Sequence, residues 1–182
     1  ALAAQPGNKV IYGDDNRVDV IDSTNSIYVE LAKSTAAMVV KKQVRSALNG
    51  EMNIVGKTLE ERGMCKTERF SAQPVVANCS GFLVGKNLLV TAGHCMQSVS
   101  SCTDNAWVFD YKVTHEQQSE VTVDKSSVYT CKRIISQVLD PVTQNDFALI
   151  ELTEIIEDRD ILQLSNSAPK LGTPLVVIGH PS

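Results

Sequence analysis

The sequence has no excess of basic charge, no long apolar run and no paired cysteine spacing, and each absence removes a class of function. With a formal net charge of -4 and a pI near 5.4, the chain lacks the basic surface that tracks a nucleic-acid backbone, so no nucleic-acid partner is expected. No stretch approaches the roughly 18 apolar residues of a spanning helix, and no membrane partner is expected. The start, ALAAQPGNKV, lacks the basic region and apolar run of an intact signal peptide. Ala1 to Ala4 fit the small-residue remnant of a cleaved one, although chance would leave the same letters. The cysteines, at 65, 79, 95, 102 and 131, lack the C-x-x-C pairs of a zinc site. Neither a metal nor another cofactor is expected. Repeats and low-complexity tracts are missing as well.

What is present suits a chain with a real core. At 182 residues and 43% hydrophobic, it has the size of one domain or two small ones. Five cysteines are many for a reducing cytosol, which points to a secreted or periplasmic protein with disulfides. The odd number leaves one thiol free, paired with another chain, or waiting for a cysteine outside these residues.

From about Val75 onward, short apolar runs alternate with turn residues. The expected strands are Val75 to Asn78, Gly81 to Val84, Asn87 to Thr91, Ala106 to Tyr111, Ser127 to Ile135, Phe147 to Leu152 and Pro174 to Gly179. Gly85-Lys86-Asn87 reads as a hairpin turn, and Trp107, Phe109 and Tyr111 alternate as barrel packing. No long amphipathic helices intervene, so the expected class is all-β, a barrel or sandwich, rather than a parallel α/β sheet. Residues 1 to 70 differ. The segment Asp22-Ser23-Thr24-Asn25 offers N-caps before SIYVELAKSTAAMVV, where Ile27, Leu31 and Val39 would line one face of a short helix. Lys41, Lys42 and Arg45 read as a solvated face, and the acidic EIIEDRD, Glu154 to Asp160, as an exposed loop between strands.

The chemistry is concentrated in CSGFLVGKNLLVTAGHC. Cys79 and Cys95 stand sixteen positions apart and flank a hairpin whose second strand delivers His94. A disulfide across that loop would contribute about 3 kcal/mol through loop entropy and would hold the turn that carries the histidine. Thr91, Ala92 and Gly93 are small, so the chain can turn tightly there. A histidine held in this way suits general-base work near neutral pH. Such a base needs a partner that holds its tautomer. Fifty-two residues later, QNDFALIEL places Asp146 at the entrance of an apolar strand, where a partly buried carboxylate needs a hydrogen-bond donor. An imidazole N–H would satisfy it.

LLVTAGHC followed by NDFALIEL resembles the trypsin-like, chymotrypsin-fold serine peptidases over roughly Val75 to Ser182. The resemblance implies that His94 is the general base, Asp146 its orienting aspartate, and Cys79–Cys95 the disulfide behind the histidine. It also implies a trypsin-like double β-barrel with the active site between barrels, and a peptide or protein substrate. On that reading residues 1–70 are an N-terminal extension with a short helix, 71–165 the first barrel, and 166–182 the beginning of the second. The N-terminal segment, VIYGDDNRVDV onward, looks more like the bacterial secreted members than the digestive enzymes. Cys102 and Cys131 would bridge the loop after His94 to VYTCKRII, leaving Cys65 over. Pairing of Cys65 with either one is nearly as compatible with the sequence.

The sequence departs from the family in one respect. The nucleophile's G-[DN]-S-G motif does not occur, and none of Ser165, Ser167 and Ser182 lies between glycines. Ser182, in IGHPS, follows a predicted strand but has no following residue to supply an oxyanion N–H. The expectation is a chain that stops early, with the serine on missing strands or on a second polypeptide carrying the C-terminal barrel. The alternative is a non-catalytic pseudo-peptidase or truncated fragment that acts as a binding or assembly component. NIVGKTL, Asn53 to Leu59, superficially resembles the family's freed activation terminus, although Asn53 is not a basic cleavage site. His115, in polar VTHEQQSE, reads as a solvated loop residue, and His180 as part of a turn.

Overall fold

The computed structural model describes residues 15–115, 118 and 120–180. Ala1 to Ala4 and Ser182 lie outside those residues. A helix, α1 (Ser26–Ala32), comes first, followed by β1 (Thr35–Val40), β2 (Val44–Ser46), β3 (Glu51–Ile54), β4 (Cys79–Gly85) and β5 (Leu88–Thr91). After a short helix, α2 (Val99–Thr103), come β6 (Asn105–Val108), β7 (Val121–Asp124), β8 (Val128–Asp140) and β9 (Asn145–Leu152). Six of the strands close into an antiparallel barrel in the order β1-β4-β5-β9-β8-β6, while β2, β3 and β7 form a separate three-stranded sheet. Among the described residues no helix is long and apolar enough to cross a membrane.

Two packed clusters explain the sequence pattern. Inside the barrel, Ala36, Met38, Leu83, Leu89, Trp107 and Ile150 pack together. On the other side of β1 and β6, Ala37, Val39, Ala106 and Val108 meet Ile54, Val121 and Val123 of the small sheet. Strands covered on both faces are apolar at consecutive positions and lose the alternation that marks a half-buried strand. For that reason TAAMVV reads as helix in the sequence. The helix ends at Ala32, capped at its start by the Asn25 side chain, which accepts from the Ile27 N–H, and Val39 belongs to β1. The barrel's first strand thus lies within the segment read as an N-terminal extension.

Other sequence expectations need correction. Val75 to Ala77 is buried, but Val75 to Asn78 pairs in no strand: its amides bond loop and strand carbonyls, Val75 N–H to Lys57 O and Asn78 N–H to Met38 O. Pro174 to Gly179 also forms no strand, and no strand lies in residues 166–180. Leu175 and Val177 are exposed, and no ladder pairs the segment with a strand among the described residues. Ile54, in the NIVGKTL segment whose likeness to an activation terminus is superficial, is a fully buried member of β3, paired with Val44 and Val121. The acidic segment 154–160 is a loop, but it is pinned: Ile156 is buried, and the Arg159 side chain is only 5% exposed, in an ion pair with Asp110.

Candidate active site

β5 carries the chain toward the histidine. At its end the Thr91 hydroxyl donates to Ser80 O, and after Ala92 the chain enters a 3₁₀ turn, Gly93–Met96. The turn is anchored at two points. Met96 is buried in the barrel cluster, and Cys95 is joined to Cys79 at the start of β4. A second disulfide, Cys102–Cys131, ties α2 to β8, and Cys65 is free and exposed. Gly93 lies against the backbone of the β8–β9 hairpin: a Cβ there would stand 1.9 Å from Val138 O and 3.0 Å from Phe147 O. The missing side chain lets the turn sit directly on the hairpin.

That hairpin presents the carboxylate. Asp146 is the second residue of β9 and pairs with Leu139 of β8. Its Oδ1 accepts from the His94 backbone N–H at 2.8 Å, and its Oδ2 lies 2.7 Å from His94 Nδ1. An ionised carboxylate can only accept, so Nδ1 carries the proton and Nε2 is the basic nitrogen of the neutral ring. The His94 side chain is 56% exposed and that of Asp146 37%. The hydrogen bond from the His94 ring, followed by the one from its backbone, holds the Asp146 carboxyl below the usual carboxylate range, against a smaller upward push from desolvation. Among the described residues no group hydrogen-bonds Nε2, which leaves it open to accept a proton. The sulfurs of Cys79 and Cys95 lie within 4.8 Å of the His94 ring. Joined as a disulfide they are not thiolates, and the group is not a metal-ligand set.

The family model described as Trypsin matches residues 56–182. This chain belongs to the trypsin family. The solved structure titled HL collagenase aligns with a TM-score of 0.35 at 20% identity, over 74% of this chain and 41% of that one. This chain thus spans less than half the length of that structure's chain. A comparison with curated proteins finds no match.

The other histidines stand apart from the pair. His115 is exposed on a loop. His180 folds back on the barrel, where its backbone N–H donates to Ser80 Oγ at 2.7 Å and its ring meets that of Tyr111 edge-on, 5.5 Å between centroids. Burial pushes its pKa down to about 4. Sequence reasoning did not find Gln137, whose Nε2–H donates to Gly93 O at 3.1 Å. Nothing in the local sequence around Gln137 marks it.

Proposed function

We propose that this chain supplies the general base and orienting carboxylate of a serine endopeptidase acting on peptide or protein substrates. The observation that carries the reading is the double engagement of Asp146 by His94, through backbone and ring, with Nε2 left open. In such a site Nε2 takes the proton of the serine hydroxyl as it attacks the scissile carbonyl, then delivers it to the leaving amine. Asp146 keeps the ring in the productive tautomer and stabilises the imidazolium that forms. Membership of the trypsin family supports this chemistry. The nucleophile is assigned to no residue of this sequence, because no G-[DN]-S-G motif occurs in it. A second polypeptide that carries the C-terminal barrel is the proposed partner. Two disulfides support a secreted or periplasmic location.

The test combines intact and denaturing mass spectrometry with a fluorophosphonate probe on the purified protein. The expected result is a co-purifying polypeptide that takes up the probe, with labelling lost in His94→Ala. Labelling that survives His94→Ala, or its complete absence from every species in the sample, overturns the proposal and favours a binding role.

A further inference from the structure

β8 does not keep a regular register against β9. Ile134 pairs with Ile150 and Ser136 with Leu149, which leaves Ile135 without a partner across the ladder. Such an extra residue shifts the alternation by one, so that side chains beyond it exchange faces. Strict alternation from Ile134 would turn Gln137 away from the face that carries Ile150. With the irregularity, Gln137 stands opposite Ala148, which is fully buried. Asp146 is two residues from Ala148 along β9 and therefore shares that face. Gln137 is thus delivered to the end of the barrel on which the His94 turn rests.

Gly93 is held there from several sides. Its Cα abuts the Val138–Phe147 pair, one step along the hairpin from the Leu139–Asp146 pair. Its carbonyl accepts from Gln137 Nε2 at 3.1 Å, and its amide adds a small contribution to the lowered pKa of Asp146. The next residue, His94, makes both hydrogen bonds to Asp146. Its own carbonyl accepts from Gln97 Nε2 at 2.9 Å.

We infer that Gln137 is a positioning residue, whose carboxamide clamps the Gly93 carbonyl to β8 and so sets the distance between the His94 main chain and the Asp146 carboxylate. The inference rests on the reading of His94 and Asp146 as the base and its carboxylate. The clamp acts along a short path. β8 carries Gln137 and pairs with the strand that carries Asp146, so a bond from Gln137 to the turn ties the two halves of the dyad to one hairpin. Without it the disulfide, the packing of Met96 against β8 and β9, and the His94–Asp146 bonds still hold the turn in place, but the Gly93 carbonyl loses its donor from β8.

The experiment is NMR on the isotopically labelled full chain, and it needs no nucleophile, so its failure is distinct from failure of the peptidase reading. Gln137→Met removes the donor at similar length. Gln137→Thr, a good strand former too short to reach Gly93, gives the same readout should the methionine variant not fold. Ser136→Ala, next along β8 and on the opposite face, controls for general loosening of the strand. The expected result is a changed Gly93 carbonyl shift, a His94 Nδ1 proton that broadens through faster exchange, and an Asp146 titration midpoint raised by about half a pH unit. Ser136→Ala should leave all three as in the parent. An unchanged Asp146 midpoint and His94 proton, with the Gly93 carbonyl shifted, would reduce the contact to a structural one and overturn the inference. So would an equal response in Ser136→Ala, or a Gly93 carbonyl indifferent to loss of the donor.

Discussion

Replacing Arg159 with methionine tests how the loop 153–160 is held to the barrel. The arginine side chain is 5% exposed and its guanidinium lies 2.6 Å from Asp110 Oδ2. It also donates to Lys33 O at 3.0 Å and to Ser127 Oγ at 2.9 Å, and it stacks over Phe109 at 4.9 Å. Methionine keeps the apolar stem against Phe109 but leaves the Lys33 carbonyl and one side of Asp110 unpartnered. Removal of one partner from a fully buried pair costs about 3–5 kcal/mol. Asp110 is 33% exposed and water can partly replace the guanidinium, so the expected cost is about 2–3 kcal/mol. For a chain of this length each kcal/mol lowers Tm by about 2–4 °C, which predicts a fall of about 4–12 °C by calorimetry at pH 7. The effect carries a pH signature. Burial pushes the Asp110 carboxyl up, but the hydrogen bonds from Arg159 and Ser127, with nearby positive charge, outweigh it and hold the group below its ordinary value. A depressed folded pKa stabilises above the unfolded value of about 3.9, and that stability is lost as pH falls through the folded pKa. The gap between parent and variant should therefore be constant from pH 7 to 5 and narrow below about pH 4. A Tm change under about 2 °C at pH 7, or a gap unaltered down to pH 3, would refute the reasoning.

Three further expectations follow from particular contacts. Cys79→Ala with Cys95→Ala removes a sixteen-residue link and should cost about 3 kcal/mol, seen as a lower urea midpoint, while the single free thiol of Cys65 remains the same on titration; an unchanged midpoint sinks this estimate. Gly81→Ala would bring a Cβ within 2.3 Å of Leu89 Cδ2 and 2.7 Å of Trp107 Cζ3, an overpacking cost of about 1–3 kcal/mol with a shifted Trp107 emission, and a variant as stable as the parent contradicts the packing. His180, with its pKa lowered to about 4 by burial, stays neutral in the fold where the unfolded chain takes up a proton near 6.5. Its contribution to stability should fall as pH drops from about 6.5 to 4, with faster exchange of the His180 amide that bonds Ser80. His180→Phe should remove that dependence, and an exchange rate that follows only intrinsic chemistry in the parent argues against it.

The pairing of His94 with Asp146 was legible because its marks are local to short segments: a strand, three small residues and a histidine beside a cysteine, then a carboxylate that opens an apolar strand. The hairpin Gly81 to Thr91 was legible for a similar reason, since its turn residues sit between two apolar runs. β1 was not. Its side chains are buried on both faces, and a segment without alternation carries no mark that separates it from a helix. Pro174 to Gly179 failed in the opposite direction, because apolar β-branched residues create the expectation of a strand while a ladder needs a neighbour.

The amino-acid sequence by itself determined a histidine and an aspartate that the fold brings to hydrogen-bond distance, a chain rich in short strands, and a cysteine set compatible with two cross-links and one thiol over. Tertiary structure alone decided which cysteines pair, that Thr35–Val40 closes the barrel, and that Arg159 is a buried clamp within a segment that reads as an exposed acidic loop. It also decided that Gln137 reaches Gly93. These depend on where a bulge falls and on which faces two strands cover, and those are relations between distant segments that no window of local sequence contains.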